Sequence, residues 1–174
     1  NNKPIPRPMQ NKDQQVFNET QRFNQWWLWA LLLGIFGLGC YGLIQQLILE
    51  VPFGSKPMND AGVIGFCLFN LGMILFFRWM RLDTRINSEG LYMRFVPFKT
   101  KFHAWEEIES ISVVHYGFVG GWGIRLFTAY GTVYNMRGAK GLAIRLKTGK
   151  KFLIGSQRIA ELKEHVAQYA QYKA

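Results

Sequence analysis

From Trp26 to Leu49 the chain carries no charged side chain, and from Ala61 to Phe77 it repeats the pattern, extended by Trp79 and Met80. A run of about 20 apolar residues, each rising about 1.5 Å in a helix, matches the hydrocarbon thickness of a bilayer. Each stretch therefore predicts a membrane-spanning helix, and the short connection Glu50 to Asp60 makes the pair a hairpin. Two helices buried in a soluble core are the alternative, but so short a chain has little left to wrap both. Trp26, Trp27 and Trp29 open the first span and Trp79 closes the second, the places where aromatic rings settle at headgroup level. The first run starts late, is long, and lacks a small-residue cleavage site, so both helices are expected to remain in the product. Gly34, Gly37, Gly39 and Gly42 in the first, and Gly62, Gly65 and Gly72 in the second, are expected to let the two backbones approach. Gln45, Gln46 and Asn70 need hydrogen-bond partners, either inside the hairpin or on another membrane subunit.

Outside the spans the period changes. Residues 1 to 16 are polar, with Pro4, Pro6 and Pro8 at alternate positions, and read as an extended tail. Asp13 to Asn24 reads as a short helix at the membrane surface. From Thr84 onward the pattern is that of short strands: Thr84 to Asn87, a turn at Glu89-Gly90, then Leu91 to Phe98, with Pro97 implying that this strand ends at a sheet edge. Lys101 to Ala104, Ile111 to Val114, and a strand-turn-strand from Phe127 to Met136 around Tyr130-Gly131 follow. Leu142 to Leu146 and Phe152 to Ile154 flank Thr148-Gly149-Lys150 as a β-hairpin. Trp105 and Ile111 are expected to bury against the sheet. Ser156 is placed as an N-cap for a helix whose apolar face carries Ile159, Leu162, Val166 and Tyr169. The expected class is an α+β membrane protein. Its segments are a tail (1–24), a transmembrane helical hairpin (25–81) and a β domain of about seven strands capped by one C-terminal helix (82–174).

Charge refines this picture. The 174 residues carry a net charge of +10, of which residues 1–77 supply +1 and residues 78–174 supply +9. The connection between the spans holds one basic residue, Lys56, whereas Arg22 precedes the first span and Arg78, Arg81 and Arg85 follow the second. Under the positive-inside rule both termini are cytoplasmic, and the β domain with them. Cys40 and Cys67 both lie within the spans, where a disulfide or a zinc site is not expected.

No catalytic pattern emerges. Gly117 to Gly123 is glycine-rich but lacks the GK[ST] ending of a P-loop and reads as a loop or bulge. His103, His115 and His165 fall on three elements with no metal spacing, and Glu106, Glu107 and Glu109 read as a solvated turn. No cofactor or metal is expected. The basic residues carry the one signal with a mechanism: Arg78, Arg81 and Arg85 at the bilayer, Lys99 and Lys101 at one turn, and Lys147, Lys150 and Lys151 around the late hairpin. Such residues hold anionic lipid or a partner at about 1 kcal/mol each, or only set topology. Nucleic acid is not expected, because no aromatic stacking platform accompanies them.

Four segments, Thr84-Arg85-Ile86 with Glu89-Gly90-Leu91, Trp105-Glu106-Glu107-Ile108-Glu109-Ser110-Ile111, Gly121-Trp122-Gly123-Ile124-Arg125 and Gly149 to Ser156, resemble bacterial pleckstrin-homology-type membrane proteins. The resemblance spans roughly residues 20 to 170 and implies a pleckstrin-homology-like β domain behind a two-helix anchor in the bacterial inner membrane, with no catalysis. The loop Asn87-Ser88-Glu89-Gly90 carries an acid where phosphoinositide binders of the wider superfamily carry Lys or Arg, so inositide recognition is not expected there. The resulting expectation is a non-catalytic membrane-anchored adaptor, or accessory subunit of a larger membrane complex, contacting other membrane proteins. The alternative is a module that senses anionic phospholipid.

Overall fold

The computed structural model describes residues 17–117 and 121–170, so the tail over 1–16 and part of the glycine-rich loop lie outside the described residues. Two compact units form: residues 22–81, and a second unit that joins residues 17–21 to the chain from Leu82 onward.

The first unit is helical. Helix α1 (Trp26–Leu43) runs into a π-helical turn over Ile44–Ile48, and α2 is Asp60–Trp79. Both are long and apolar enough to cross a bilayer, with 23 residues in Trp26–Ile48 and 20 in α2. Asn59 caps α2, its Oδ1 accepting from the Gly62 N–H at 2.9 Å, and Asp60 and Arg78 sit at the ends that suit the helix dipole. Leu38, Leu68 and Phe69 all point outward and exposed. The glycines divide. A Cβ on Gly39 would press on Cys67 and Phe66, and one on Gly42 would press on Phe53, whereas Gly34, Gly37, Gly65 and Gly72 have nothing within 4 Å. Only part of the expected small-residue seam therefore faces the neighbouring helix. The polar side chains all donate within the hairpin: Gln45 Nε2 to the Tyr41 hydroxyl, Gln46 Nε2 to the Met58 carbonyl and Asp60 Oδ1, and Asn70 Nδ2 to the Phe66 carbonyl, while the buried Gln46 Oε1 has no hydrogen-bond partner among the described residues. Both cysteines are free.

The second unit is built from β1 (Phe17–Arg22), β2 (Arg81–Ile86), β3 (Gly90–Val96) and β4 (Lys99–Ala104), which form a four-stranded sheet in that order. The surface helix expected over 13–24 is thus, from Phe17 to Arg22, a strand, and the helical hairpin is an insertion between two neighbouring strands of one sheet. Phe17, Glu19 and Gln21 point inward, so two of the three inward positions are polar and the period-2 signal of a strand is hidden. Strand β3 is internal and Pro97 lies in the β3–β4 turn, so that proline marks no sheet edge. Asn87 builds the β2–β3 turn, its Oδ1 accepting from the Glu89 and Gly90 N–H groups, and a Cβ on Gly90 would collide with the His103 carbonyl on β4.

A five-stranded sheet follows, from β5 (Ile108–His115), β6 (Gly123–Thr128), β7 (Gly131–Asn135), β8 (Lys140–Leu146) and β9 (Lys151–Gly155), in the order β5-β8-β9-β7-β6. The described residues hold nine strands, eight of them from Arg81 onward, where about seven were expected, and β7 pairs with β9 in parallel, whereas the β3–β4, β5–β8, β6–β7 and β8–β9 pairs are antiparallel. The β8–β9 hairpin closes at Gly149, whose φ is 82° and whose N–H donates to the Leu146 carbonyl. Leu82, Ile86, Phe95, Val133, Met136, Leu142 and Leu153 are fully buried, and Trp105 and Ile111, expected in the core, are only half-buried. Trp105 Nε1 donates to the Asn87 carbonyl. Helix α3 (Ile159–Ala170) buries Leu162 and Val166, and the buried Glu19 anchors its entry by accepting from the Ser156 hydroxyl at 2.6 Å and the Gln157 N–H at 2.8 Å.

Candidate functional site

The register of β3 against β4 decides which basic residues face the interior of the β unit. Lys101 lies opposite the buried Met93 and His103 opposite the buried Leu91, and residues directly opposite share a face, so both point inward. The Lys101 ammonium stands 4.5 Å from the Phe152 ring centre and 5.1 Å from that of Tyr134, within cation–π range of two buried rings. Burial, then the nearby Lys99 and Lys150, lower the Lys101 pKa from its ordinary value. Burial raises the Tyr134 phenol, and Lys99 partly offsets that rise.

Lys101 forms one wall of an open cleft of about 620 Å³. Four consecutive β4 residues, Thr100 to His103, line it, so the strand presents its edge as well as its inward side chains. The opposite walls are Leu126 and Phe127 from β6, Gly131 and Thr132 from β7, and Lys150, Lys151 and Phe152 at the start of β9. The cleft thus lies between the outer strands β4 and β6, one from each sheet. His103 Nδ1 is 2.9 Å from Glu107 Oε2. Among the described residues, no carboxylate pairs with Lys101, Lys150 or Lys151. Phe127 is fully exposed and holds φ at +59°, unusual for a bulky residue, at an irregularity between Arg125 and Thr128 in the β6–β7 pairing. Leu126 and Phe102 are also exposed.

Of the sequence-derived basic residues, Lys101, Lys150 and Lys151 are brought together at this cleft. Lys99 opens β4 close enough to repel Lys101, and Lys147 is exposed outside the cleft lining, its N–H bonded to the Glu107 carbonyl. Arg85 is exposed on β2, Arg81 is half-buried at its start, and Arg78 belongs to the helical unit. Sequence reasoning missed the buried rings of Tyr134 and Phe152 behind Lys101 and the apolar rim of Leu126 and Phe127, because these come from three strands whose order is not sequential. The arrangement offers negative charge three ammonium groups, that of Lys101 held against two buried aromatic rings. Among the described residues no three His, Cys, Asp or Glu side chains gather as a metal site.

No protein-family model and no curated protein matches this chain.

Proposed function

We propose that this chain is a non-catalytic, membrane-anchored adaptor whose β domain takes an acidic, extended segment of a partner membrane protein into the cleft between β4 and β6. The observation that carries this reading is the pairing of an open strand edge with uncompensated charge. Residues 100–103 line the cleft on the outermost strand of their sheet, and Lys101, Lys150 and Lys151 stand beside it without carboxylate partners among the described residues. An added strand gains main-chain hydrogen bonds, and alternate carboxylates meet the lysines. The two apolar helices supply the anchor, since exposed Leu38, Leu68 and Phe69 suit lipid and not water. The flanking arginines support a cytoplasmic β domain with both termini on the same side, and the resemblance to bacterial pleckstrin-homology-type membrane proteins supports the inner membrane as the site. The pleckstrin-homology-like reading rests on the run of strands closed by one helix, to which this chain adds β1 and a parallel β7–β9 pair.

A second reading, recognition of an anionic phospholipid headgroup in the same cleft, is favoured by the exposed Leu126 and Phe127 at its rim. A photo-crosslinking amino acid at position 102 in the full-length protein, irradiated in native membranes, separates the two. Adaptor function predicts a discrete protein adduct that disappears when Lys101, Lys150 and Lys151 become Gln. Adducts to lipid alone, or a protein adduct indifferent to the lysines, would overturn it.

A further inference from the structure

The helical unit holds a second polar site that the cleft does not use. Where α1 begins and α2 ends, Arg22, Phe23, Asn24, Trp29, Phe77 and Arg78 line a notch of about 390 Å³. Its walls are fixed from within. Trp29 Nε1 donates to the Phe23 carbonyl at 2.8 Å, and the buried Phe23 ring meets Phe77 edge-on at 5.5 Å. Arg22 and Arg78 contribute two guanidinium groups, no acidic residue lines the notch, and neither arginine has a carboxylate partner among the described residues. Trp26 and Trp79, at the same end of the hairpin, are exposed. Two cations above an aromatic wall, in a belt of tryptophan, match a ligand that is anionic at one end and apolar at the other.

We infer that this notch binds the phosphodiester headgroup of an anionic phospholipid, with Arg22 and Arg78 on the phosphate and the glycerol and upper acyl chain against Phe23, Trp29 and Phe77. Guanidinium groups suit the role because their planar forks bond phosphate oxygens in pairs, and basic pockets beside membrane helices hold lipid headgroups. Two cations near a surface, at about fivefold in affinity each, give roughly a 25-fold preference for anionic over zwitterionic lipid. The inference rests on the reading of the hairpin as a membrane anchor, and it is independent of what occupies the β4–β6 cleft.

Full-length protein extracted in mild detergent is titrated with short-chain phosphatidylglycerol, phosphatidylcholine and inorganic phosphate, and bound lipid is counted by native mass spectrometry. The expected result is one tightly held phosphatidylglycerol. Retention should fall roughly 25-fold in R22Q/R78Q, fall less in R22K/R78K, which keeps the charge but loses the fork, and stay unchanged in K101Q/K150Q/K151Q. Thermal unfolding of each variant checks the fold. Equal retention of the two lipids, or retention unaffected by R22Q/R78Q, would overturn the notch and leave the anchor standing. Inorganic phosphate competing as well as lipid would overturn the lipid assignment, and a chain washed from membranes by carbonate would overturn the notch and the anchor together.

Discussion

Replacing Glu19 by Ala tests whether the segment before the apolar hairpin is a working part of the β domain. Glu19 is 5% exposed, and its carboxylate accepts from the Ser156 hydroxyl at 2.6 Å and the Gln157 N–H at 2.8 Å, where the chain turns into α3. Gln157 is exposed, so water replaces the lost acceptor there and the cost is small. Ser156 is buried, and its hydroxyl is left without that acceptor, which costs about 1–3 kcal/mol. Adding the loss of a charged bond at a helix entry brings the total to about 3 kcal/mol. For a domain of this size that lowers the midpoint of thermal unfolding by about 10–20 °C. The assay is unfolding of the full-length protein in detergent, followed by near-ultraviolet circular dichroism, for E19A, E19Q, S156A and the double variant E19A/S156A. Glu19→Gln keeps one acceptor oxygen and should lose about half as much. The double variant should cost less than the sum of the singles, because both remove the same bond. A Glu19→Ala midpoint within a degree or two of the unaltered protein would refute the account of β1 as the strand that holds α3 in place.

Three further outcomes follow from the β unit. Gly131 holds φ at 77° and a Cβ there would strike the Lys151 carbonyl, so Gly131→Ala should cost about 2 kcal/mol or more by chemical denaturation. Phe127→Asn relieves a left-handed backbone that Asn tolerates, and should raise stability by about 1 kcal/mol while weakening whatever binds at the rim, measured by denaturation and by crosslinking yield. Because the Lys101 pKa is lowered from 10.5, binding of an acidic segment at the cleft should be full below that lowered value while the segment's carboxylates stay ionised, and should fall as pH rises through it. Over the window from there up to 10.5 the folded state sheds its proton first, so the penalty of burying the charge fades; Lys101→Met should stabilise at neutral pH and confer no gain above 10.5.

The two apolar helices were legible because charge-free runs bounded by Trp and Arg need no tertiary information. The Thr148-Gly149-Lys150 and Tyr130-Gly131 turns were legible because a positive φ demands glycine. Strand β1 was not, since Glu19 and Gln21 occupy its inward positions and only the distant Ser156, Gln157 and Gly155 explain why. The basic residues were visible as a set, but not their division: Lys101 becomes special only through its register opposite Met93, and Lys150 and Lys151 reach it only because β9 pairs in parallel with β7. Nothing local in Phe127-Thr128-Ala129-Tyr130 announces that the phenylalanine is fully exposed.

The most direct test of the cleft as a strand-accepting, cation-lined site is amide hydrogen exchange on the full-length protein in detergent, with and without a peptide that alternates glutamate and valine. The account predicts slowed exchange confined mainly to residues 99–104, stronger at low salt than at high salt, and absent in K101Q/K150Q/K151Q. Exchange in β4 unchanged by the peptide, or slowed equally in the variant, would contradict it.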